Sequence, residues 1–216
     1  MNKLNENEVQ IHKRISDILN NNSTPNNSIN EITFKTNRTE IIHKNESNYA
    51  FLILISPLLK GNKVLDLFCG TNSIKQFSAQ NHLNAVITGV DNDIDNTNAD
   101  VKSDVSNLPN IITPDKQFDI ITSFGGTESE DYFNDYNYLT DDGLLIHGYS
   151  DSYFKDNDIK KQLTSGKKIE LLRCFNPVVI VNIQGIHQKI DWPDQKKPLD
   201  FSSTMVYVIF QKKPIN

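Results

Sequence analysis

Hydrophobic and polar positions follow two different periods along this chain. Near its start, apolar residues recur at helical spacing over 4–19, and a nearly all-apolar stretch covers 48–59. The first pattern predicts an amphipathic helix, and the second predicts a helix buried on every side. The Asn-rich segment 20–30 predicts a linker between the first helix and the rest of the chain. The weak alternation over 32–43 predicts a short hairpin or an extended arm.

From residue 63 onward, short apolar runs alternate with segments that are long enough for helices. The runs are 64–68, 85–90, 118–124 and 144–148, and the helix-capable segments are 71–81, 127–139 and 152–163. Continuous apolar strands of this length are typical of a parallel sheet that is covered on both faces. The alternation therefore predicts an α/β fold with a doubly wound sheet and right-handed crossovers.

The end of the chain follows a different pattern. Two long β-branched runs, 177–183 and 204–210, have no helical segment between them. Strands joined without a crossover helix pair antiparallel. We therefore expect an antiparallel last strand on an otherwise mostly parallel sheet.

Composition narrows the class of protein. The chain has 216 residues, which suits one domain, and its formal net charge of -5 weighs against a broad phosphate-binding surface. Two cysteines do not form a disulfide framework. The absence of a 20-residue apolar run and of a secretory-type amino end leads us to expect a cytoplasmic protein without a membrane partner. Asparagine is unusually frequent, at 27 residues against 9 glycines.

The turn after the first apolar strand is the candidate ligand-binding site, because ligands of doubly wound sheets bind at the carboxyl ends of the strands. It reads Val64-Leu-Asp-Leu-Phe-Cys-Gly-Thr-Asn72. This turn resembles the first motif of class I S-adenosylmethionine-dependent methyltransferases, in which an acidic residue is followed by three alternating glycines. The resemblance extends over about 63–211. It implies a Rossmann-like, seven-stranded sheet with a helical extension or lid at 1–60, both parts of one domain whose methyltransferase-like portion is 61–216.

The resemblance also implies S-adenosyl-L-methionine as cofactor and assigns its site. Asp66 would lie near the methionine ammonium, Asp91 would accept both ribose hydroxyls, and Asp104 and the Val105 amide would bind adenine. The full set of expected cofactor-binding residues is Asp66, Phe68, Gly70, Asn72, Asp91, Asn92, Asp104, Val105 and Ser123. No metal ligands are expected.

Two features depart from the family pattern. Phe68 and Asn72 stand where the first and last glycines are expected. Asn72 tolerates the left-handed backbone, and it could cap the following helix, touch the cofactor carboxylate or fill the pocket. Asp91 and Ala99 are also too close in sequence for a full helix, so we expect a loop between the second and third strands of the motif.

The acceptor is less well defined by the sequence, because in-line methyl transfer depends mainly on positioning. His147, at the carboxyl end of the fifth strand of the motif, is a candidate general base, since histidine titrates near neutrality. Glu128 is a second candidate, because it could orient an amine acceptor. The same rim could also hold other acidic and aromatic residues: Glu130, Asp131, Tyr149, Tyr153 and His187.

We expect a methyltransferase that acts on a small molecule or a protein side chain, with nucleic acid disfavoured by charge. The Asn-Pro-Pro-Tyr type of motif found in enzymes that methylate base amino groups is absent, and 122–126 reads Thr-Ser-Phe-Gly-Gly instead. The alternative is a catalytically inactive methyltransferase-like binding or scaffold protein, which the thinned glycine motif would favour. A dinucleotide-dependent oxidoreductase fits less well, because Phe68 and Asn72 disrupt its glycine fingerprint.

Overall fold

The computed structural model describes residues 5–21, 29–35, 46–113, 116–124, 137–165, 171–184, 187–190, 199–202 and 205–213. Most of the linker expected at 20–30, the end of the arm expected at 32–43 and nearly all of the helix expected at 127–139 lie outside these residues. The same is true of Glu128, Glu130 and Asp131. No described helix has the length and hydropathy needed to span a membrane.

The described strands form one large sheet and a separate two-stranded ribbon. The large sheet has eight strands in the order β1-β7-β10-β6-β5-β2-β3-β4, and β8 pairs with β9. The bounds are β1 Asn30–Lys35, β2 Lys63–Leu67, β3 Val86–Asp91, β4 Val101–Lys102, β5 Phe118–Ser123, β6 Leu139–Ser150, β7 Phe175–Gln184, β8 His187–Ile190, β9 Leu199–Ser202 and β10 Met205–Lys212.

Helices cover both faces of the large sheet, as a doubly wound fold requires. Ile15, Phe51 and Phe77 join one apolar core, and Leu108 and Phe154 join the other. The helices are α1 Glu6–Asn21, α2 Glu46–Leu59, α3 Ser73–Gln80, α4 Leu108–Ile111, α5 Asp151–Asp156, α6 Ile159–Ser165 and α7 Leu171–Cys174, with a 3-10 helix at Val105–Asn107. The first core packs under α1, α2 and α3, and the second packs under α4, α5 and α6.

Strand directions confirm the α/β prediction. β2 pairs in parallel with β3 and β5, and β5 pairs in parallel with β6. β10 runs antiparallel to both β6 and β7. The sheet is therefore mostly parallel with an antiparallel last strand, as the two long terminal runs predicted.

The strand count differs from the expected seven, because the segment before residue 60 contributes an eighth strand. β1 pairs in parallel with β7 from Asn30 to Lys35, and Ile32 and Phe34 are buried.

A reciprocal cap fixes the start of α1, since the Glu8 amide donates to Asn5 and the Asn5 amide donates to the Glu8 carboxylate, both at 2.9 Å. Residues 1–60 are therefore more than a helical extension, and their role as a lid stays a prediction.

The strand expected at 144–148 is longer than its apolar run. β6 begins at Leu139, which pairs with Phe118, and the next pair joins Leu144 to Ile120. The extra residues on β6 form a bulge in its pairing with β5. Another difference concerns 152–163, which forms α5 and α6 instead of one helix and is interrupted at Asp158, whose φ is 49°.

Candidate functional site

The turn after β2 keeps its backbone shape without the expected glycines. Phe68, Gly70 and Asn72 all have positive φ, at 55°, 49° and 56°. These are the three positions at which the resemblance places glycine. A left-handed conformation costs a non-glycine residue about 1–2 kcal/mol, although Asn tolerates it better than most. The substitutions at 68 and 72 therefore leave the path of the turn unchanged at some cost in strain.

Gly70 and Asp91 join the ends of β2 and β3. The Gly70 amide donates to Asp91 Oδ2 at 2.8 Å, and the Asp93 amide donates to Asp91 Oδ1 at 2.9 Å. Gly70 is exposed, and a side chain added to it would meet open space within 4 Å. Each carboxylate oxygen has a second lone pair, so the half-buried Asp91 can accept further hydrogen bonds from a ligand above the turn.

Asp66 lies below this turn and is only 3% exposed. Thr122 on β5 donates its hydroxyl to Asp66 Oδ1 at 2.8 Å. Desolvation by burial, opposed by the Thr122 hydrogen bond and aided by the charge of Asp91, raises the pKa of Asp66 to about 7. A cationic ligand group beside Asp66 would favour its charged form. The sequence did not indicate Thr122, because its role depends on the pairing of β2 with β5.

Asn72 has a contact that the sequence analysis did not anticipate. Its side chain does not cap α3. Instead, Asn72 Nδ2 donates to the carbonyl oxygen of Asn98 at 2.8 Å. The amide packs so closely on β3 that a Cβ at Gly89 would lie 2.6 Å from Nδ2. At 2% exposure, Asn72 neither reaches solvent above the turn nor caps the helix.

A loop connects β3 to β4, as the short spacing predicted. Side chains within this loop fold it by local hydrogen bonds: the Asp95 amide donates to Asp93, and the Asn98 amide donates to Asn96. These are turns of the type that Asn and Asp favour. Asn96 Nδ2 also donates to the Gly70 carbonyl at 2.6 Å. The asparagines of this loop therefore fold it onto the turn after β2.

The remaining cofactor candidates also lie at or just after the carboxyl ends of strands, a region that we call the edge. Asp104 is exposed and accepts the Ser106 amide at 2.8 Å, and hydrogen bonds from the side chain and then the amide of Ser106 lower its pKa. Val105 begins the 3-10 helix, is 9% exposed and contributes to a core, and Asn92 is exposed after Asp91. Ser123 differs from these residues, because it is fully buried at the end of β5.

His147 lies on the next strand but inside the protein. It pairs across the sheet with Ser123 on β5 and is 3% exposed. Its ring centroid is 4.2 Å from that of Tyr149. Burial lowers the pKa of His147 to about 4, so the imidazole is neutral at pH 7. A neutral imidazole can accept a proton, but this one offers an acceptor molecule little surface.

The remaining candidates and Cys69 occupy different places in the fold. The ring of Tyr153 on α5 is nearly parallel to that of Tyr149, with centroids 6.3 Å apart. His187 begins β8. Cys69 is 7% exposed, and burial, together with the charges of nearby aspartates, raises its pKa to about 12. This thiol is therefore a packed group and a poor nucleophile.

Three features of the described edge bear on whether it could hold S-adenosyl-L-methionine, the cofactor that the resemblance implies. The half-buried Asp91 carboxylate suits a sugar diol, and the open space over Gly70 leaves room for a ligand to approach the backbone. The side chain of Asn72 is turned into β3 and hydrogen bonded to Asn98, so it does not fill the space over Gly70. The residues present therefore fit this cofactor.

Comparison with known proteins identifies the fold. No protein-family model and no curated protein sequence matches the chain. A proposed RNA methyltransferase from Pyrococcus horikoshii is similar in structure, with a TM-score of 0.50 and 14% identity over 99% of this chain and 100% of that chain. A Thermoplasma acidophilum protein has a TM-score of 0.52 and 13% identity over 95% and 99%. A proposed methyltransferase from Bacillus halodurans C-125 has a TM-score of 0.50 and 15% identity over 78% and 100%.

These structures resemble this chain over most of its length at very low sequence identity, so the likeness concerns the fold alone. Two of the three are described as methyltransferases. The chain therefore has the Rossmann-like α/β fold of class I methyltransferases that its first motif indicated.

Proposed function

We propose that this protein is an S-adenosylmethionine-dependent methyltransferase. The observation that carries the proposal is the left-handed turn at residues 68–72 joined to the Asp91 carboxylate through the Gly70 amide. This arrangement places exposed backbone and a half-buried carboxylate at the carboxyl ends of adjacent parallel strands, where doubly wound folds bind nucleoside ligands.

Different residues of the edge bind different parts of the cofactor. Asp91 accepts the ribose hydroxyls, Asp66 is close enough to Asp91 to sense its charge and balances the methionine ammonium, and Asp104 and Val105 bind adenine. Asn92 lies at the same edge, and Ser123, buried at the end of β5, stays a candidate. When bound, the cofactor supplies a methyl group on a sulfonium centre, which an acceptor nucleophile attacks in line.

The charge of this edge bears on the acceptor. Residues 91–104 contain five aspartates and one lysine. Such an edge attracts a cationic cofactor and repels the phosphates of a nucleic acid. We therefore favour a small molecule or a protein side chain as acceptor. Because His147 is buried, transfer relies first on positioning, and His147 and Glu128 stay candidates for orienting or deprotonating the acceptor.

Calorimetric titration with S-adenosylhomocysteine tests the cofactor site. The wild-type protein should bind it, and Asp91→Ala should weaken binding at least 100-fold, because the variant loses a charged acceptor and the anchor of the Gly70 amide. Asp95→Ala is the matched control, since it removes an exposed aspartate of the same loop and should bind within about twofold of wild type. A wild-type protein that binds no ligand at millimolar concentration would instead support the non-catalytic scaffold function.

The acceptor class needs a second experiment. The protein is incubated with methyl-labelled S-adenosylmethionine and, separately, with small-molecule, protein and RNA fractions of a cell extract. Label should enter the small-molecule or protein fraction and should be absent in parallel reactions with Asp91→Ala. Label confined to RNA would overturn the acceptor assignment without affecting the cofactor assignment.

A further inference from the structure

Asn72 and Gly89 form a tight contact that couples the turn after β2 to the loop after β3. The Asn72 amide lies on the face of β3 where Gly89 has no side chain, and a Cβ there would also lie 2.9 Å from Cys69 Sγ. From this position Asn72 Nδ2 reaches the Asn98 carbonyl oxygen. One side chain therefore connects three segments of the edge.

Asparagine at this position has two costs that glycine would avoid. Its φ of 56° is a left-handed conformation, and its Oδ1 is buried without a hydrogen-bond partner among the described residues. The donor on Nδ2 is what asparagine adds in return. The contact is therefore more than space filling, because a glycine would leave the Asn98 carbonyl without this donor.

The loop that Asn72 holds has no helix to stabilise it. Four loop residues, 92–95, are exposed, and the loop folds through hydrogen bonds between neighbouring side chains and amides. Two further contacts hold its end, since Asp100 accepts the Gly89 amide of β3 at 2.9 Å and pairs with Lys75 of α3, and Asn72 is also a side-chain hydrogen-bond partner of Asp100. The middle of the loop is attached to the turn by Asn72 and Asn96 and to β4 by Lys102, whose Nζ donates to the Ile94 carbonyl oxygen at 2.9 Å.

We infer that Asn72 is a positioning residue that holds the 92–98 loop against the turn after β2 and thereby preorganises the Asp91 edge for the nucleoside part of the cofactor. We call the hydrogen bond from Asn72 to the Asn98 carbonyl oxygen the latch. This inference rests on the proposed function for the identity of the ligand. The latch itself is a property of the ligand-free chain. A loop ordered in advance does not have to be ordered at the moment of binding, so its loss weakens binding without a ligand contact being removed.

Asn72→Gly tests the latch, because glycine keeps the left-handed backbone and removes the amide. We expect S-adenosylhomocysteine to bind about tenfold more weakly, and the amides of Asp95 and Asn98 to exchange with deuterium about tenfold faster in the ligand-free protein. Asn84→Gly is the matched control, because Asn84 has a φ of 55° and is exposed in the turn before β3. This control should match wild type in both measurements.

Gly89→Ala provides an independent test, since its added Cβ displaces the Asn72 amide. Alone it should weaken binding about as much as Asn72→Gly does. In the double variant the two effects should not add, because the latch is already lost. Additive effects would mean that Gly89→Ala acts through Cys69 and would contradict the coupling through Asn72.

The two proposals fail in different ways. If wild type binds S-adenosylhomocysteine while Asn72→Gly binds it within twofold and exchanges its loop amides at the wild-type rate, the latch is wrong and the proposed function stands. If wild type binds no ligand but the Asn72→Gly loop exchanges faster, the proposed function is wrong and the latch is a structural device. A lower melting temperature with unchanged affinity and unchanged loop exchange would also contradict the positioning role.

Discussion

The turn and loop after β2 and β3 differ sharply from the pair formed by Ser123 of β5 and His147 of β6. After β2 and β3 the edge is open and polar: Gly70 is exposed and Asp91 is half-buried. Ser123 and His147 are buried within the sheet, and Ser123 is in register with the buried Leu67 of β2. Gly148 continues this closed region, since a Cβ there would lie 3.1 Å from the Tyr207 ring.

This difference separates two kinds of site. The open edge presents backbone amides and short polar side chains, whose donors and acceptors can be matched to the polar groups of a known ligand. The closed edge is packed with aromatic rings, including a stacked pair in which the centroids of Phe51 and Tyr207 are 3.9 Å apart. The first edge can therefore be assigned to a cofactor from its donors and acceptors, whereas the second offers few polar groups from which an acceptor could be deduced.

The largest expected effect concerns Asp66, the buried carboxyl of the open edge. Its pKa in the folded protein, about 7, lies above the ordinary value, so the folded state binds the extra proton and stability falls as pH rises toward 7. Asp66→Asn removes this dependence. Relative to wild type, its free energy of unfolding should rise by about 3 kcal/mol between pH 5 and pH 8. Urea unfolding followed by circular dichroism measures this difference.

Thr122→Val sharpens the test of Asp66. It removes the hydrogen bond that lowers the pKa of Asp66, so the loss of stability should extend to higher pH than in wild type. If the free energy of unfolding depended on pH in the same way in wild type and Asp66→Asn, Asp66 would titrate normally. That result would contradict the burial of Asp66 beneath an exposed turn.

His147 on the closed edge should show the opposite pH dependence. Its pKa of about 4 in the folded protein lies below the ordinary value of 6.5, so the unfolded state binds the extra proton and stability falls as pH falls. Relative to wild type, the free energy of unfolding of His147→Gln should therefore rise by about 2 kcal/mol as pH falls from 7 to 5, because Asp66 contributes equally to both proteins. Urea unfolding at the two pH values checks it. An imidazole NMR resonance that titrates above pH 6 in the folded protein would contradict the burial.

Gly148→Ala should affect the closed edge alone. The added methyl would crowd the Tyr207 ring and the Phe124 backbone, at 3.1 and 3.3 Å. We expect a loss of about 1–2 kcal/mol in the free energy of unfolding. Affinity for S-adenosylhomocysteine should stay within twofold of wild type, in contrast to Gly89→Ala on the open edge. A large loss of affinity would mean that the two edges are coupled.

The smallest expected effect is the reactivity of Cys69. Because its thiol is buried and its pKa is raised to about 12, it should resist iodoacetamide at pH 8 in the folded protein. The Cys174→Ser variant isolates this thiol for mass spectrometry. It should stay unmodified until urea is added, and rapid modification without urea would show that the turn after β2 opens in solution.

The sequence predicted the elements whose signal is local. The apolar runs located β2, β3 and β5, and the terminal runs predicted the antiparallel pairing of β7 with β10. The parallel pairing of β1 with β7 was not predictable, because the weak alternation at 32–43 does not name a partner strand. The bulge that extends β6 back to Leu139 was missed for the same reason, since it depends on the register with β5.

The candidate site shows the same limit. Asp66, Gly70 and Asp91 were assigned through the resemblance of the first strand, its turn and the end of the second strand to the methyltransferase pattern. The contact of Asn72 with Asn98 joins residues 26 positions apart and depends on the fold of the loop between β3 and β4. The frequency of asparagine gave no reason to single out Asn96 or Asn98. The sequence also did not predict that His147 is buried, because its position on a strand does not show which side chains pack against it.

An NMR titration with S-adenosylhomocysteine tests the central claim most directly, because it reports which edge binds the ligand. Backbone amide resonances of Gly70, Asn92 and Val105 should shift with a common dissociation constant, and those of β1 and β7 at the far side of the sheet should not move. Shifts that are absent at millimolar ligand, or that are confined to residues away from the ends of β2, β3 and β4, would contradict the account.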